Sequence, residues 1–196
     1  TAATLVAHCL RQPRETYRIA NVGSGPALDV FEALAALPPG SRSSARVRLL
    51  DLDPNALEAA RTRLESVVPQ SSVETVRTNL FRLAQGSRGA RELQTPDFLV
   101  CAGLFDYLDD EPAVSLLGLF WRQLAEGGVL LVGNFAPHNP SRAFMEWIGN
   151  WYLKYRTADD MERLASAAGI PRPQFRVGCE RTGVDLFLVA GKGDAA

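Results

Sequence analysis

Cysteine is scarce in this chain, and the three residues present argue against both a disulfide framework and a thiolate metal centre. Cys9, Cys101 and Cys179 are odd in number and lack the close pair spacing of metal sites, and two of them sit inside apolar runs. Scattered thiols of this kind fit reduced residues in a cytosol, so a cytoplasmic location is expected. Charge of one sign is also lacking. A formal net charge of −1 leaves no basic surplus for neutralising phosphates, which disfavours nucleic acid as a partner. No apolar run approaches the roughly 20 residues that cross a bilayer, so no integral membrane segment is expected. No signal peptide is visible; the chain starts at Thr1, and an upstream segment, removed or omitted, stays an open alternative. Internal repeats are absent too. What remains is ordinary globular composition, 46% hydrophobic and 22% charged over 196 residues, which is most economically one domain (1–196) with a substantial core.

Strand-like and helix-like segments alternate along that length. A helical opening occupies 1–16, and Arg18 to Val22 then reads as a buried strand. Leu28, Val30, Phe31 and Leu34 recur at helical spacing, so "GSGP" at 23–26 is a strand-to-helix turn whose two glycines suit close approach to the backbone. "RVRLLDLD" is a second strand. Asp53 caps the next helix, with Pro54 at its first position and Leu57, Ala60 and Leu64 as its apolar stripe. "VETVR" is a third strand, and Gln85 to Gln94 is a loop or short helix. "DFLVCAG" is a fourth. Asp110 and Pro112 open a helix with Val114, Leu117, Trp121 and Leu124 on one face, ended by Gly127-Gly128 before a fifth strand, "VLLVGNF". Alternation of this kind implies a parallel sheet covered on both faces. The last third departs from it. "APHNPSRAFMEWIGNWYLKYR" is aromatic-rich and predicted helical in its second half. Thr157, with Asp160 three residues on, caps a helix ending at Gly169, and two strands around Arg181-Thr182-Gly183 form a hairpin.

The "NVGSGPA" turn, the acidic end of "LLDLDP", Asn79-Leu80, "CAGLFDYL" and the late hairpin together resemble the class I S-adenosylmethionine-dependent methyltransferases over Arg18 to Lys192. Where that family's first motif has an acidic residue, this chain has Asn21, and Ala27 stands at its third glycine. The resemblance implies an α/β, Rossmann-like seven-stranded methyltransferase sheet in the order 3-2-1-4-5-7-6, strand 7 antiparallel, with helices on both faces. It also implies S-adenosyl-L-methionine as cofactor and a small-molecule methyl acceptor. A dinucleotide site would want glycine at position 28, where Leu28 stands, and helix N-terminal amides for the pyrophosphate, one of which Pro26 removes.

The resemblance assigns Asn21, Gly23, Ser24 and Gly25 to the methionine end of the cofactor and Asp51 to the ribose hydroxyls, a logic NAD proteins share. Asp53 is better explained as a cap. Leu52 would pack on adenine or lie in the core, and Asn79 with Leu80 would hold the adenine edge or simply form a turn. Ala102 and Gly103 would leave room for the sulfonium. Asp106 and Tyr107 would face the acceptor or the cofactor amine; a turn cap and a core side chain are their plain alternatives. The segment "FDYLDD" with "NPSRAFMEWIGNWYLKYR" is similar to bacterial methyltransferases that make 3-hydroxy fatty acid methyl ester signals. The insert at 137–156 follows the fifth strand at the carboxyl edge, where it would lid the acceptor pocket, and Phe144, Trp147, Ile148 and Trp151, at helical spacing, would line an apolar pocket. Arg142, ahead of Arg156, would hold a carboxylate there; packing of the aromatics on the sheet is the simpler reading. His138 is a candidate base or a solvated loop residue. A hydroxyl or amine on another metabolite is the runner-up acceptor, and a non-catalytic cofactor-binding module is the alternative class.

Overall fold

The computed structural model describes residues 1–12, 14–84 and 88–193. Seven strands form one sheet: β1 (Tyr17–Val22), β2 (Ala45–Asp51), β3 (Val73–Arg77), β4 (Phe98–Cys101), β5 (Val129–Phe135), β6 (Phe175–Cys179) and β7 (Asp185–Gly191). Their order is β3-β2-β1-β4-β5-β7-β6. β1 to β5 pair in parallel, while β7 runs antiparallel to both β5 and β6. Among the described residues eight α-helices accompany it: α1 (Ala2–Arg11), α2 (Leu28–Ala36), α3 (Pro39–Ser43), α4 (Pro54–Glu65), α5 (Arg88–Leu93), α6 (Asp110–Gln123), α7 (Arg142–Trp147) and α8 (Ala158–Ala167).

Strand alternation builds the two cores. Phe98 and Val100 of β4, with Val129 and Leu131 of β5, point toward α1, α2 and α4. Leu99 and Cys101, with Leu130 and Val132, point to the opposite face under α5, α6 and α8. Because successive strand side chains face opposite ways, a sheet covered on both sides needs unbroken apolar runs, and "FLVC" and "VLLV" supply them. Leu57, Ala60 and Leu64 are buried as the spacing predicts, and the Asp53 carboxylate accepts from Asn55 N at 2.8 Å to cap α4. α8 begins with a full capping box between Thr157 and Asp160. In α6 the buried face is broader than the predicted stripe. Ala113, Leu116, Leu119 and Phe120 join Leu117 inside, while Val114 and Trp121 are only partly covered.

The segment Gln85 to Gln94, expected as a loop or short helix, holds the short helix α5 from position 88, and 85–87 lie outside the described residues. One prediction needs correction. The insert is not helical in its second half: α7 stops at Trp147, and Asn150 adopts φ +48°, turning the chain so that Trp151 N donates back to Met145 O at 2.9 Å. Helical spacing of the aromatics was therefore misleading, because Asn150 supplies a left-handed exit that periodicity does not register.

Candidate functional site

In an open α/β sheet, the loops leaving neighbouring strands in opposite directions open a crevice at the carboxyl edge. Here that point lies between β1, which leads toward β2, and β4, which leads toward β5. Gly23 N and Ser24 N both donate to Leu50 O, at 2.8 and 3.2 Å, so the turn after β1 doubles back on β2. Gly23 and Gly25 have φ of +65° and +47°, the region that favours glycine. Ala27 adopts φ +50° at the start of α2, a strained choice for a residue with a Cβ.

Asp51 ties this turn together. One carboxylate oxygen accepts from Gly25 N at 2.8 Å and the other from Asp53 N at 3.0 Å. The carboxylate thus bridges the glycine turn and the start of α4, and each oxygen keeps a second lone pair for a ligand donor. A Cβ built on Gly25 meets no atom within 4 Å, and the same holds at Gly103 after β4. Open space therefore faces the backbone on both sides of the crevice. Beneath it, Asn21 is buried and its side-chain Nδ2 has no hydrogen-bond partner.

The other predicted residues collect on the same edge. Leu52 is 53% exposed, which rules out the core alternative and leaves an apolar flank beside Asp51. Asn79 caps a single 3₁₀ turn by accepting from Phe81 N at 3.0 Å, as a turn former does, while Leu80 is buried beneath Gly23. Ala102 and Gly103 are exposed at the end of β4. Ser24 is buried, with only a long contact from its hydroxyl to Gly25 O at 3.4 Å.

The opposite wall follows β4. Asp106 is 3% exposed; its Oδ1 accepts from Phe135 N at 2.7 Å, so it ties the loop to the end of β5 and caps no turn. Burial raises its carboxyl to about 6; the nearby Asp185 pushes the same way, against the Phe135 amide and Arg156, which favour the charged form. Tyr107 is exposed, not core, and its hydroxyl accepts from Trp151 Nε1 at 2.7 Å. The limb of the insert after α7 runs beside this loop. Lys154 N donates to Asp106 O at 2.7 Å. Arg156, 4% exposed, donates to Phe105 O and Asn134 Oδ1 at 2.8 Å, to Leu108 O at 2.6 Å, and to Asp110 at 2.9 Å.

Arg156 is accordingly a clamp and not a free anion ligand. Arg142 donates to Glu146 at 2.7 Å and lies over the Tyr155 ring at 4.5 Å, so it is exposed but already paired. Phe144, Trp147, Ile148 and Trp151 are all exposed, Trp147 by 86%, which overturns the expectation that they pack on the sheet. His138 is exposed in the loop after β5, beside Gly183 of the hairpin turn. The clamp and the Trp151–Tyr107 contact escaped sequence reading, since they join residues 22 to 51 positions apart. The one local hint was Asn134, a polar residue within an apolar strand, now the buried acceptor for Arg156.

Among the described residues, no group of three His, Cys, Asp or Glu side chains converges to hold a metal, and no helix is long and apolar enough to cross a membrane. Two cavities, of about 450 and about 270 Å³, sit at the amino ends of β1 and β2. Neither touches the carboxyl-edge residues; a third, of about 220 Å³, is lined there by Leu80, Phe81 and Leu108, and the switch point makes this edge the candidate site.

No protein-family model and no curated protein matches the sequence. Solved structures do match in fold. A possible exported protein from Bordetella parapertussis aligns with a TM-score of 0.76 and 19% identity over 97% of this chain and 66% of that one. An O-methyltransferase family protein from Burkholderia thailandensis aligns at 0.70 and 15% identity, covering 100% of this chain and 56% of the other. Magnesium protoporphyrin IX methyltransferase from Synechocystis, with S-adenosylhomocysteine bound, aligns at 0.67 and 15% identity over 98% and 81%. The chain thus spans about half to two thirds of the length of most of these structures. The fold is that of the class I S-adenosylmethionine-dependent methyltransferases, with their sheet order and antiparallel seventh strand.

Proposed function

We propose that this protein is an S-adenosylmethionine-dependent methyltransferase acting on a small molecule, with residues 1–196 as one methyltransferase domain. The observation that carries the reading is the cradle at the β1–β4 crevice: open space over Gly25 and Gly103, with the Asp51 carboxylate holding the turn from behind. When bound, the cofactor supplies an electrophilic methyl group on a sulfonium. Asp51 would accept from the ribose hydroxyls through its remaining lone pairs. Leu52 would flank the adenine ring, and Asn79 and Leu80 would meet its edge. Asn21, Gly23 and Ser24 would shape the methionine end, with Ala102 and Gly103 leaving room for the sulfonium. The substrate is then gripped between this turn and the Asp106–Tyr107 wall, with the 137–156 insert as its lid. Holding two reactants in line is worth on the order of 7–11 kcal/mol, more than one general base supplies, so a strong base is not required.

The acceptor this geometry favours has an apolar body, because Phe144, Trp147, Ile148 and Tyr152 are presented to solvent from the lid. The carboxylate of a hydroxylated fatty acid is the first acceptor to test, with Arg142 as head-group ligand. Using Arg142 there means releasing it from Glu146 and from the Tyr155 ring it covers. A hydroxyl or amine of another metabolite is the alternative, with His138 as a candidate base. A non-catalytic cofactor-binding module is favoured only by Asn21 and the strained Ala27. Three free cysteines, with Cys9 and Cys101 buried, support a cytoplasmic setting.

Calorimetric titration with S-adenosylhomocysteine, followed by mass detection of methylated products from an acceptor panel, tests these readings in turn. Binding with turnover is expected. Absence of binding would overturn the methyltransferase reading, and binding without turnover of any acceptor would leave the cofactor-binding module.

A further inference from the structure

We propose that Tyr107 is the hydrogen-bond donor that orients the methyl acceptor and that Trp151 is the positioning residue that keeps it a donor, so that the site selects an oxygen acceptor over an amine. The inference rests on the methyltransferase reading. A phenol oxygen carries one hydrogen and can accept through its lone pairs, whereas an indole nitrogen only donates. Trp151 Nε1 donates to Tyr107 Oη at 2.7 Å, so the hydroxyl hydrogen is left to point elsewhere. Tyr107 is 45% exposed on the carboxyl edge, just beyond Ala102 and Gly103, and an acceptor entering the crevice is the partner that position offers.

Both partners are held from behind. Lys154 N donates to Asp106 O, and Arg156 donates to Phe105 O and Leu108 O, so backbone on either side of Tyr107 is bound to the limb that carries Trp151. Two neighbouring carboxylates have partners of their own: Asp106 Oδ1 accepts from Phe135 N, and Asp109 pairs with Lys154. A phenol that already accepts one hydrogen bond is polarised into a better donor. Such a donor suits a carboxylate, phenol or alcohol, whose oxygens keep lone pairs for attack after accepting it. An amine nitrogen has a single lone pair, and a hydrogen bond to it occupies the pair that must attack sulfur-bound carbon.

The full chain is assayed as wild type, Trp151→Phe, Tyr107→Phe and the double variant, against a fatty acid, a phenol and a primary amine of equal chain length. S-adenosylhomocysteine affinity is measured calorimetrically in parallel. The wild type is expected to methylate an oxygen acceptor in preference to the amine. Trp151→Phe should lower kcat/KM for that acceptor by about tenfold while S-adenosylhomocysteine affinity stays constant. In the Tyr107→Phe background the same change should cost nothing further. Equal or better turnover of the amine, or losses that multiply in the double variant, would overturn the proposal. A readout without turnover separates it from the underlying reading. With S-adenosylhomocysteine bound, the oxygen acceptor should shift the Trp151 indole N–H resonance, assigned by its loss in Trp151→Phe. A resonance that does not move overturns the Tyr107 role alone, whereas failure of S-adenosylhomocysteine to bind overturns the methyltransferase reading and this proposal with it.

Discussion

Asp51 and Asp106 show how one residue type takes two roles through its surroundings. Asp51 lies half-buried at the end of β2, where its carboxylate accepts from two backbone amides. Asp51→Ala removes the carboxylate from the glycine turn and from the proposed ribose contact together. Charge-assisted hydrogen bonds are worth about 1.5–3 kcal/mol, so S-adenosylhomocysteine affinity should fall roughly tenfold to a hundredfold by calorimetry. Asp106 is instead buried, and its carboxyl is raised to about 6. The folded state then binds more protons than the unfolded chain between the ordinary carboxylate value and about 6. Its contribution to stability is full below the unfolded value and is lost as pH rises through the folded one. Asp106→Asn keeps an acceptor for Phe135 N and removes the cost of a buried charge. Between pH 4 and 7, denaturant titrations should therefore show the variant gaining on wild type by about 2–3 kcal/mol, most of it by pH 6. The groups facing Asp106 that set this window are Asp185 from β7 and Arg156 from the insert.

At the scale of elements, the insert is a strap as well as the proposed lid. Its limb before α8 is bound to the loop after β4 through Arg156, whose guanidinium satisfies Phe105 O, Leu108 O and Asn134 Oδ1. Arg156→Met keeps an unbranched stem but leaves those oxygens unpaired. Breaking a buried charged network by removing one partner costs about 3–5 kcal/mol, less where a partner such as Asp110 is exposed. A loss of about 3 kcal/mol in chemical denaturation is expected. The periodic reading found α2, α4, α6 and α8 because each has a buried face and a cap or stop in its own sequence. It failed in the insert because six residues of α7 give too short a window, and the aromatics there face solvent.

For the molecule as a whole, the sheet exists to bring the ends of β1, β2, β3 and β4 to one edge, and ligand binding there should stabilise the entire fold. With S-adenosylhomocysteine at a hundred times its Kd, linkage predicts about 2.7 kcal/mol. For a chain of 196 residues that corresponds to a rise in Tm of about 5–10 °C. Gly25→Val should abolish the rise, because a branched side chain would fill the open space over Gly25. It should also lower the ligand-free Tm, because φ at Gly25 is +47°. Scans with and without ligand separate the two effects; a full ligand-induced rise in the variant would show that the turn does not hold the cofactor.

The sequence by itself determined the order of the strands and longer helices and the presence of a covered parallel sheet. Apolar runs, helical stripes, Asp53, the Thr157–Asp160 box and the paired glycines are all local signals, read within a few residues. It also placed Gly23, Gly25, Asp51 and Gly103 at strand ends, where the sheet order brings them to one crevice. Only the tertiary structure decided what Asp106, Tyr107, Trp151 and Arg156 do. Their partners are distant in sequence: Asp106 reaches β5, Trp151 reaches the loop after β4, and Arg156 spans that loop and β5. A hydrogen bond depends on where two chain segments meet, and no periodicity within either segment encodes that meeting.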